Sequence, residues 1–393
     1  MKRWISNVAL VGLGTLTGVF LFEFGLRMAG VSYPVFFQSD DDIGLRLRPG
    51  AEGWYEDEGE AYVRINSQGF RDREHSKGKP PTTFRIAVLG DSYAEARQVP
   101  MEDTFWAILE RDLRKCRALA GREVEAINFG VGGYGTGQEL ITLRQRVWPY
   151  SPDIVILAFF SGNDVRDNFR GLAADPRKPF FVYRDGKLEQ DMSFRNLAVH
   201  RASLTRLARL VALLTEYSRV LQLLHKVKNQ VIGAMLFRQN PETIPGEGVD
   251  LGLDNLVLLK PSDPLWEEAW RVTEGLIVLM RDEVVQKGAG FLVVTLSIGI
   301  QVHPDRAVRT RFMRRLGITD VFYPDVRIKA LGDQEGFPVL NLAQNFQSHA
   351  EQHKVFLHGF GKDLGWGHWN QEGHRLAGKT IAEKLCQDFT AKR

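Results

Sequence analysis

Phe84-Arg85-Ile86-Ala87-Val88-Leu89-Gly90-Asp91-Ser92-Tyr93 is the stretch on which the reading of this chain turns. An apolar run with β-branched residues reads as a buried strand. It stops abruptly at a small residue, a carboxylate and a hydroxyl. In open α/β sheets, ligands and reactive groups gather at the carboxyl ends of parallel strands. Ser92 is therefore the candidate nucleophile, presented at a sheet rim. Taken alone, Gly-Asp-Ser is equally an ordinary turn, so the weight falls on what surrounds it.

Working outward, the stretch from Glu102 to Leu119 has a helical period, with Phe105, Ile108, Leu109 and Leu113 on its apolar face. Val124 to Phe129 reads as a second strand, running into Gly130-Val131-Gly132-Gly133-Tyr134-Gly135. A helix from about Gly137 to Val147 leads to a third strand, Ile154 to Phe160. That strand is almost wholly apolar, as strands covered on both faces are. It ends in Ser161-Gly162-Asn163-Asp164. Pro264 to Lys287 reads as a helix closed by Gly288, Phe291 to Leu296 as a fourth strand, and Val339 to Leu342 as a fifth. Strand, turn and helix in this rhythm argue for a parallel sheet with helices on both faces. Gly-x-Ser-x-Gly is absent, so the usual α/β-hydrolase elbow is not expected.

Three strand ends thus offer Ser92, Gly133 and Asn163, and a late histidine, His368, follows in Gly365-Trp366-Gly367-His368-Trp369-Asn370. Acyl transfer needs a nucleophilic oxygen, a base for its proton and donors facing the developing oxyanion. Ser92 supplies an oxygen and an N–H. Gly133, without a Cβ, lets its N–H approach a ligand closely. Asn163 supplies an amide, and a histidine suits base work near neutrality.

Gly90-Asp91-Ser92, Gly133 in Asn128-Phe129-Gly130-Val131-Gly132-Gly133, Gly162-Asn163-Asp164 and His368 stand in the order and spacing of the SGNH/GDSL hydrolase superfamily, which the chain resembles over about residues 60–170 and 265–390. Upstream, Asn66-Ser67-Gln68-Gly69-Phe70-Arg71 is similar to the segment preceding the core in membrane-anchored bacterial members. The resemblance implies a three-layer α/β/α flavodoxin-like sandwich that hydrolyses or transfers ester-linked acyl groups without metal or organic cofactor. It implies Ser92 and His368 as catalytic residues, with Ser92, Gly133 and Asn163 at the oxyanion. The family usually places an aspartate three residues before the histidine, but here that position is Gly365. Asp363 is the nearest carboxylate and the candidate acid. A backbone carbonyl or another carboxylate is the alternative.

The remaining candidates have plainer readings. Asp91 and Asp164 are expected to cap helices or brace turns, and His374 to pack or be solvated on the closing helix. His349 and His353 are spaced i, i+4, but His-Ala-Glu-Gln-His is not the zinc signature, so no metal site is expected. Tyr93 and Trp369 are placed beside the pocket by adjacency alone.

The chain opens with Met1-Lys2-Arg3-Trp4 and an apolar stretch from Ile5 to Phe22. That length approaches the ~17–25 residues of a membrane-spanning helix. Lys2 and Arg3 ahead of it, against Arg27 behind, favour a cytoplasmic N-terminus. An anchor with an extracytoplasmic (periplasmic) body is expected over a cleaved signal peptide, because no Ala-x-Ala site follows. The organisation read from these features is an anchor over 1–30, an extension and linker over 31–82, and a catalytic body over 83–393. A helical insertion interrupts that body at about 175–262. Within the extension, Ala61 to Asn66 alternates like a half-buried strand.

The insertion starts with a hairpin around Asp185-Gly186. A long helical stretch follows from about Ser203 to Phe237, expected to pack over the core; a lid or a membrane-lying surface is the other reading. Gln239 to Asp263 reads as loop. Cys116 and Cys386, far apart in sequence, read as one disulfide or two buried thiols, and thiols are the expectation. Lys and Arg number 51 against 48 Asp and Glu, with no long run of one sign, which gives no nucleic-acid footprint. The expected substrate is an ester-bearing small molecule or polysaccharide. An esterase, an O-acetyltransferase acting on an envelope polysaccharide and a non-catalytic binding protein remain the three functional readings.

Overall fold

In the computed structural model, which describes residues 2–239 and 255–391, the apolar runs become a five-stranded sheet. Its strands are Thr83–Gly90 (β1), Glu123–Asn128 (β2), Ile154–Phe159 (β3), Gly290–Thr295 (β4) and Val339–Asn341 (β5). Every residue of β1 and of β3 is buried, which explains why neither alternates polar with apolar. All neighbours are parallel and the order is β5-β4-β3-β1-β2. The chain steps from β1 outward to β2, then returns to the other side of β1 for β3. That reversal is a topological switch point, and the loops leaving β1 and β3 diverge there to open a crevice.

Helices cover both faces in a three-layer α/β/α arrangement. Phe105–Leu113 packs on the closing helix Gln371–Ala391, and Thr136–Thr142 and Ser161–Asp167 pack on Pro264–Gln286. Phe105, Ile108, Leu109 and Leu113 are the buried face of the first of these, as its period requires. Residues Phe36, Ile43, Leu47, Val63, Ile65 and Phe70 join the same core, so the extension is part of the packed body. Each such aliphatic or aromatic side chain contributes about 1.5–3 kcal/mol on burial.

Two expectations fail. Cys116 and Cys386 form a disulfide rather than two thiols, with Cα atoms 5.7 Å apart across 270 residues. The side-by-side packing of Phe105–Leu113 and Gln371–Ala391 brings them together, which no sequence spacing reveals. The long insertion helix does not pack over the core either. It breaks at Ser218 into Arg206–Tyr217 and Arg219–Gln239, and Leu207, Leu210, Val211, Leu214 and Tyr217 of the first and Leu224, Val227 and Val231 of the second are exposed. The hairpin before it forms as expected, Phe180–Arg184 pairing with Lys187–Asp191. The loop expected over 239–263 lies largely outside the described residues. At the start, Lys2–Met28 is one helix; Ala9–Met28 within it spans 20 residues at a mean hydropathy of 1.7, none of it buried.

Candidate active site

Ser92 opens a one-turn helix, Ser92–Glu95, directly after β1. Asp91 caps it, accepting the Tyr93 N–H at 2.9 Å, which is the bracing role expected of that carboxylate. The other end of the turn is held from the extension. Arg71 is buried and donates to the carbonyls of Glu95 (2.7 Å), Ala96 and Val99 (2.5 Å). Its neighbour Asp72 accepts the Asn128 N–H at 2.8 Å, and Asn128 in turn accepts the Gly130 N–H at 2.9 Å. The segment that precedes the sheet in sequence therefore ties the Ser92 turn to the loop carrying Gly133.

His368 meets Ser92 as the resemblance implied, with Nε2 2.8 Å from Oγ. Its other nitrogen does not meet Asp363, which is exposed and makes no hydrogen bond to His368 among the described residues. The carboxylate on Nδ1 is Glu58, at 2.5 Å, and the His368 backbone N–H donates to the second Glu58 oxygen at 2.6 Å. A carboxylate only accepts, so Nδ1 carries the proton and the Nε2 lone pair faces the Ser92 hydroxyl. Burial opposes ionisation of Glu58, but the hydrogen bonds and charge of His368 outweigh it and hold the group below the usual carboxylate range.

Two glycines shape the loop around His368. Gly365, at the position of the aspartate in the family the sequence resembles, has φ +93°, and a Cβ there would lie 2.9 Å from His303 Cδ2. Gly367, at φ +78°, presents bare backbone where any side chain would collide with Glu58 Oε1. Glu58 itself sits in the loop between the paired strands Glu52–Tyr55 and Ala61–Arg64, and only the alternation of the second was legible. The acidic triplet Glu56-Asp57-Glu58 was visible but had no period linking it to His368. The two glycines just before His368, with no carboxylate at the usual place, were the available signal.

Behind the loop, Trp369 is fully buried and Tyr93 nearly so; they back His368 rather than line a pocket. Tyr93 packs on the His368 ring at 5.0 Å, and its hydroxyl donates to the Gly367 carbonyl at 3.1 Å. His358 bonds the same carbonyl through Nδ1 at 2.7 Å, and its Nε2 lies 2.9 Å from Ser297 Oγ. Trp369 Nε1 donates to that hydroxyl at 2.9 Å. Burial pushes the His358 pKa down to about 4, keeping the ring neutral for this network.

At the oxyanion side, neither the Ser92 nor the Gly133 N–H donates to a protein acceptor among the described residues. The direction in which a Gly133 Cβ would point is open. Asn163 Nδ2 donates one hydrogen to Asp91 Oδ2 at 3.1 Å. Beneath them Asp91, Glu139 and Asp164 are all buried. Burial, offset in part by the Tyr93 N–H, His368 and Asn163, moves Asp91 up to about 6. Burial first and neighbouring carboxylates second push Glu139 and Asp164 far above the ordinary range. Asp164 braces its turn by accepting the Phe160 N–H at 2.9 Å. His374 packs flat against Phe105, and His349 pairs with Glu372 at 3.3 Å. Among the described residues no cluster of His, Cys, Asp and Glu is arranged to hold a metal.

A groove of about 1120 Å³ adjoins the acid, walled by Glu58, Trp54, Tyr62 and Phe360. Trp54 and Tyr62 pair edge to face at 5.7 Å and are both about half exposed.

No family model matches the chain, and no curated protein matches it. Among solved structures it is similar to the acetyl xylan esterase AlAXEase, at 13% identity and a TM-score of 0.39, over 77% of this chain and 100% of that one. It is also similar to a catalytic mutant of Axe2, an acetylxylan esterase from Geobacillus stearothermophilus, at 11% identity and a TM-score of 0.39, over 78% and 96%. A GDSL-like lipase from Bacteroides thetaiotaomicron VPI-5482 aligns at 12% identity and a TM-score of 0.33, over 77% and 88%. At these identities and scores the likeness assigns neither family nor activity.

Proposed function

We propose that this chain is a serine esterase of the SGNH/GDSL type, acting on ester-linked acyl groups through an acyl-enzyme. The observation that carries the reading is the unbroken chain Ser92 Oγ–His368 Nε2 at 2.8 Å and His368 Nδ1–Glu58 at 2.5 Å. His368 Nε2 takes the Ser92 proton as Oγ attacks the ester carbonyl carbon. The N–H groups of Ser92 and Gly133 and the Asn163 amide hold the resulting oxyanion. The carbon–oxygen bond to the alcohol breaks, and the proton on Nε2 passes to the departing oxygen. Water then gives a proton to His368 and attacks the acyl-Ser92 ester, releasing the acid and restoring the hydroxyl. Glu58 holds the imidazole in its tautomer and stabilises the imidazolium of each step.

The groove beside Glu58 favours a second reading on the same chemistry. Exposed aromatic faces suit a sugar ring, and a sugar hydroxyl in place of water makes the protein an O-acetyltransferase. The non-catalytic reading rested on the missing aspartate, and Glu58 removes that ground. For location, we propose residues 1–30 as a single-pass anchor, 31–82 as the extension and 83–393 as an extracytoplasmic body with its insertion at about 175–262. The Cys116–Cys386 bond supports that side of the membrane, since disulfides are rare in the cytosol. N-terminal sequencing of membrane-fraction protein tests the anchor; a start after about residue 25 removes it.

The activity test uses the full chain in detergent with p-nitrophenyl acetate, with and without an oligosaccharide acceptor. Ser92→Ala is expected to lower kcat/KM by about 10³-fold or more. Acetyl appearing on the sugar identifies the transferase, and equal turnover by wild type and variant overturns the reading.

A further inference from the structure

The helix Arg206–Tyr217 is inside out. Leu207, Leu210, Val211, Leu213, Leu214 and Tyr217 are 49–70% exposed, while Thr215 faces the protein and is buried. A helix on a water-facing surface shows the opposite polarity. The stripe continues past Ser218, where Leu224, Val227 and Val231 are 46–59% exposed at i, i+3 and i+7. Arg206 and Arg209 lie on the first helix, long enough to bring their charges out from beneath an apolar layer.

What this face meets follows from where it is fastened. Glu23, inside the apolar N-terminal helix, caps the second insertion helix. It accepts the Arg219 and Val220 N–H groups and the Ser218 hydroxyl, each at 3.0 Å. Arg27 donates to the Tyr217 carbonyl, closing the end of the first insertion helix. The Tyr33 N–H donates to Gln222 at 3.0 Å, and Lys226 sits 4.1 Å over the Tyr33 ring. Glu23 lies five residues before Met28, the end of the bilayer-length segment, which is about 7 Å along a helix. Interfacial helices bury their apolar face ~5–10 Å into the headgroup boundary. The clamp therefore holds the exposed stripe at the depth where lipid begins.

We propose that Arg206–Tyr217 and the first turns of Arg219–Gln239 lie in the phospholipid headgroup region of the membrane crossed by Lys2–Met28, with the apolar stripe toward the acyl chains. This rests on the anchor reading above. The consequence is an enzyme body held at one height and orientation over the bilayer, because span and interfacial helices form one hydrogen-bonded unit.

The test uses the full chain, whose two cysteines are already joined, carrying one added cysteine labelled with an environment-sensitive fluorophore. The positions are Leu16→Cys in the span, Leu210→Cys, Leu214→Cys and Leu224→Cys on the stripe, and Glu189→Cys on the hairpin. Each protein is reconstituted in phosphatidylcholine–phosphatidylglycerol vesicles with or without nitroxide-bearing lipid. Retained Ser92-dependent turnover confirms that each variant has folded. The expected result is at least twofold quenching at 16, 210, 214 and 224, with none at 189. Quenching at 16 alone overturns the inference and leaves the anchor standing. A blue-shifted, unquenched label at 210 and 214 also overturns it, showing that protein covers the face. No quenching at 16 removes the anchor, and the inference with it.

Discussion

Ser92 and Glu58 sit at opposite ends of one hydrogen-bonded chain, and they are held by different kinds of structure. The Ser92 turn grows directly out of β1, whose eight residues are all buried, and is pinned by Asp91 at one end and Arg71 at the other. Glu58 comes from a hairpin loop in the extension, 310 residues from the histidine it orients. The proposed nucleophile is positioned by the sheet core, where packing tolerates little displacement. The proposed acid is positioned by a peripheral hairpin and by Gly367, whose lack of a side chain leaves room for it. The proposed mechanism thus depends on docking the extension as well as on folding the sheet.

Glu58→Gln breaks the comparison most severely. It keeps the shape but lets the wrong imidazole tautomer form, and kcat is expected to fall by about 10²–10⁴-fold with KM little changed. Steady-state kinetics read this, and Asp363→Asn in parallel should leave kcat within about twofold. Equal losses in the two variants would return Asp363 to the acid's place. Gly367→Ala sharpens the point from the other side. The added methyl meets the Glu58 carboxylate, so kcat is expected to drop roughly 10–100-fold, as a displacement of about 1 Å does.

Two smaller effects separate the stabilities of the two regions. Replacing both Cys116 and Cys386 by serine should lower the unfolding free energy of the sheet body by about 2–5 kcal/mol, measured by denaturant titration. Activity at low temperature should survive, since neither residue approaches Ser92. The joint between extension and sheet instead titrates. His75 lies 2.6 Å from Glu125 on β2 and 3.1 Å from Asp72. Burial opposes its charge, but the hydrogen bonds to Asp72 and Glu125 outweigh that and move its pKa from 6.5 up to about 9. The histidinium is favoured by the folded state, so its contribution is complete below about pH 6.5 and is lost as pH rises through about 9. Thermal melts across that window should show a fall that His75→Gln flattens.

The insertion adds a lesson about period. Its helical repeat was visible from Ser203 to Phe237, and helices do form there, yet a 3.6-residue stripe states only that one face is apolar. Whether that face meets protein or lipid depends on which side the rest of the chain fastens. Here Glu23 and Arg27 fasten the junction between the two helices, from Tyr217 to Val220.

The sequence by itself determined the parallel sheet, the hairpin at Asp185-Gly186 and the placement of Ser92, Gly133 and Asn163 at strand ends. These follow from periodicity and turn chemistry acting over a few residues. It also determined that His368 belongs with them, through a resemblance in the order of four short blocks. Only the tertiary structure decided that Glu58 meets His368, that Cys116 bonds Cys386 and that Arg206–Tyr217 turns its apolar face outward. Each is a contact between segments separated by 170 residues or more in sequence, set by how layers pack. Local pattern carries no information about such a meeting, because the energy that selects it belongs to the assembled core.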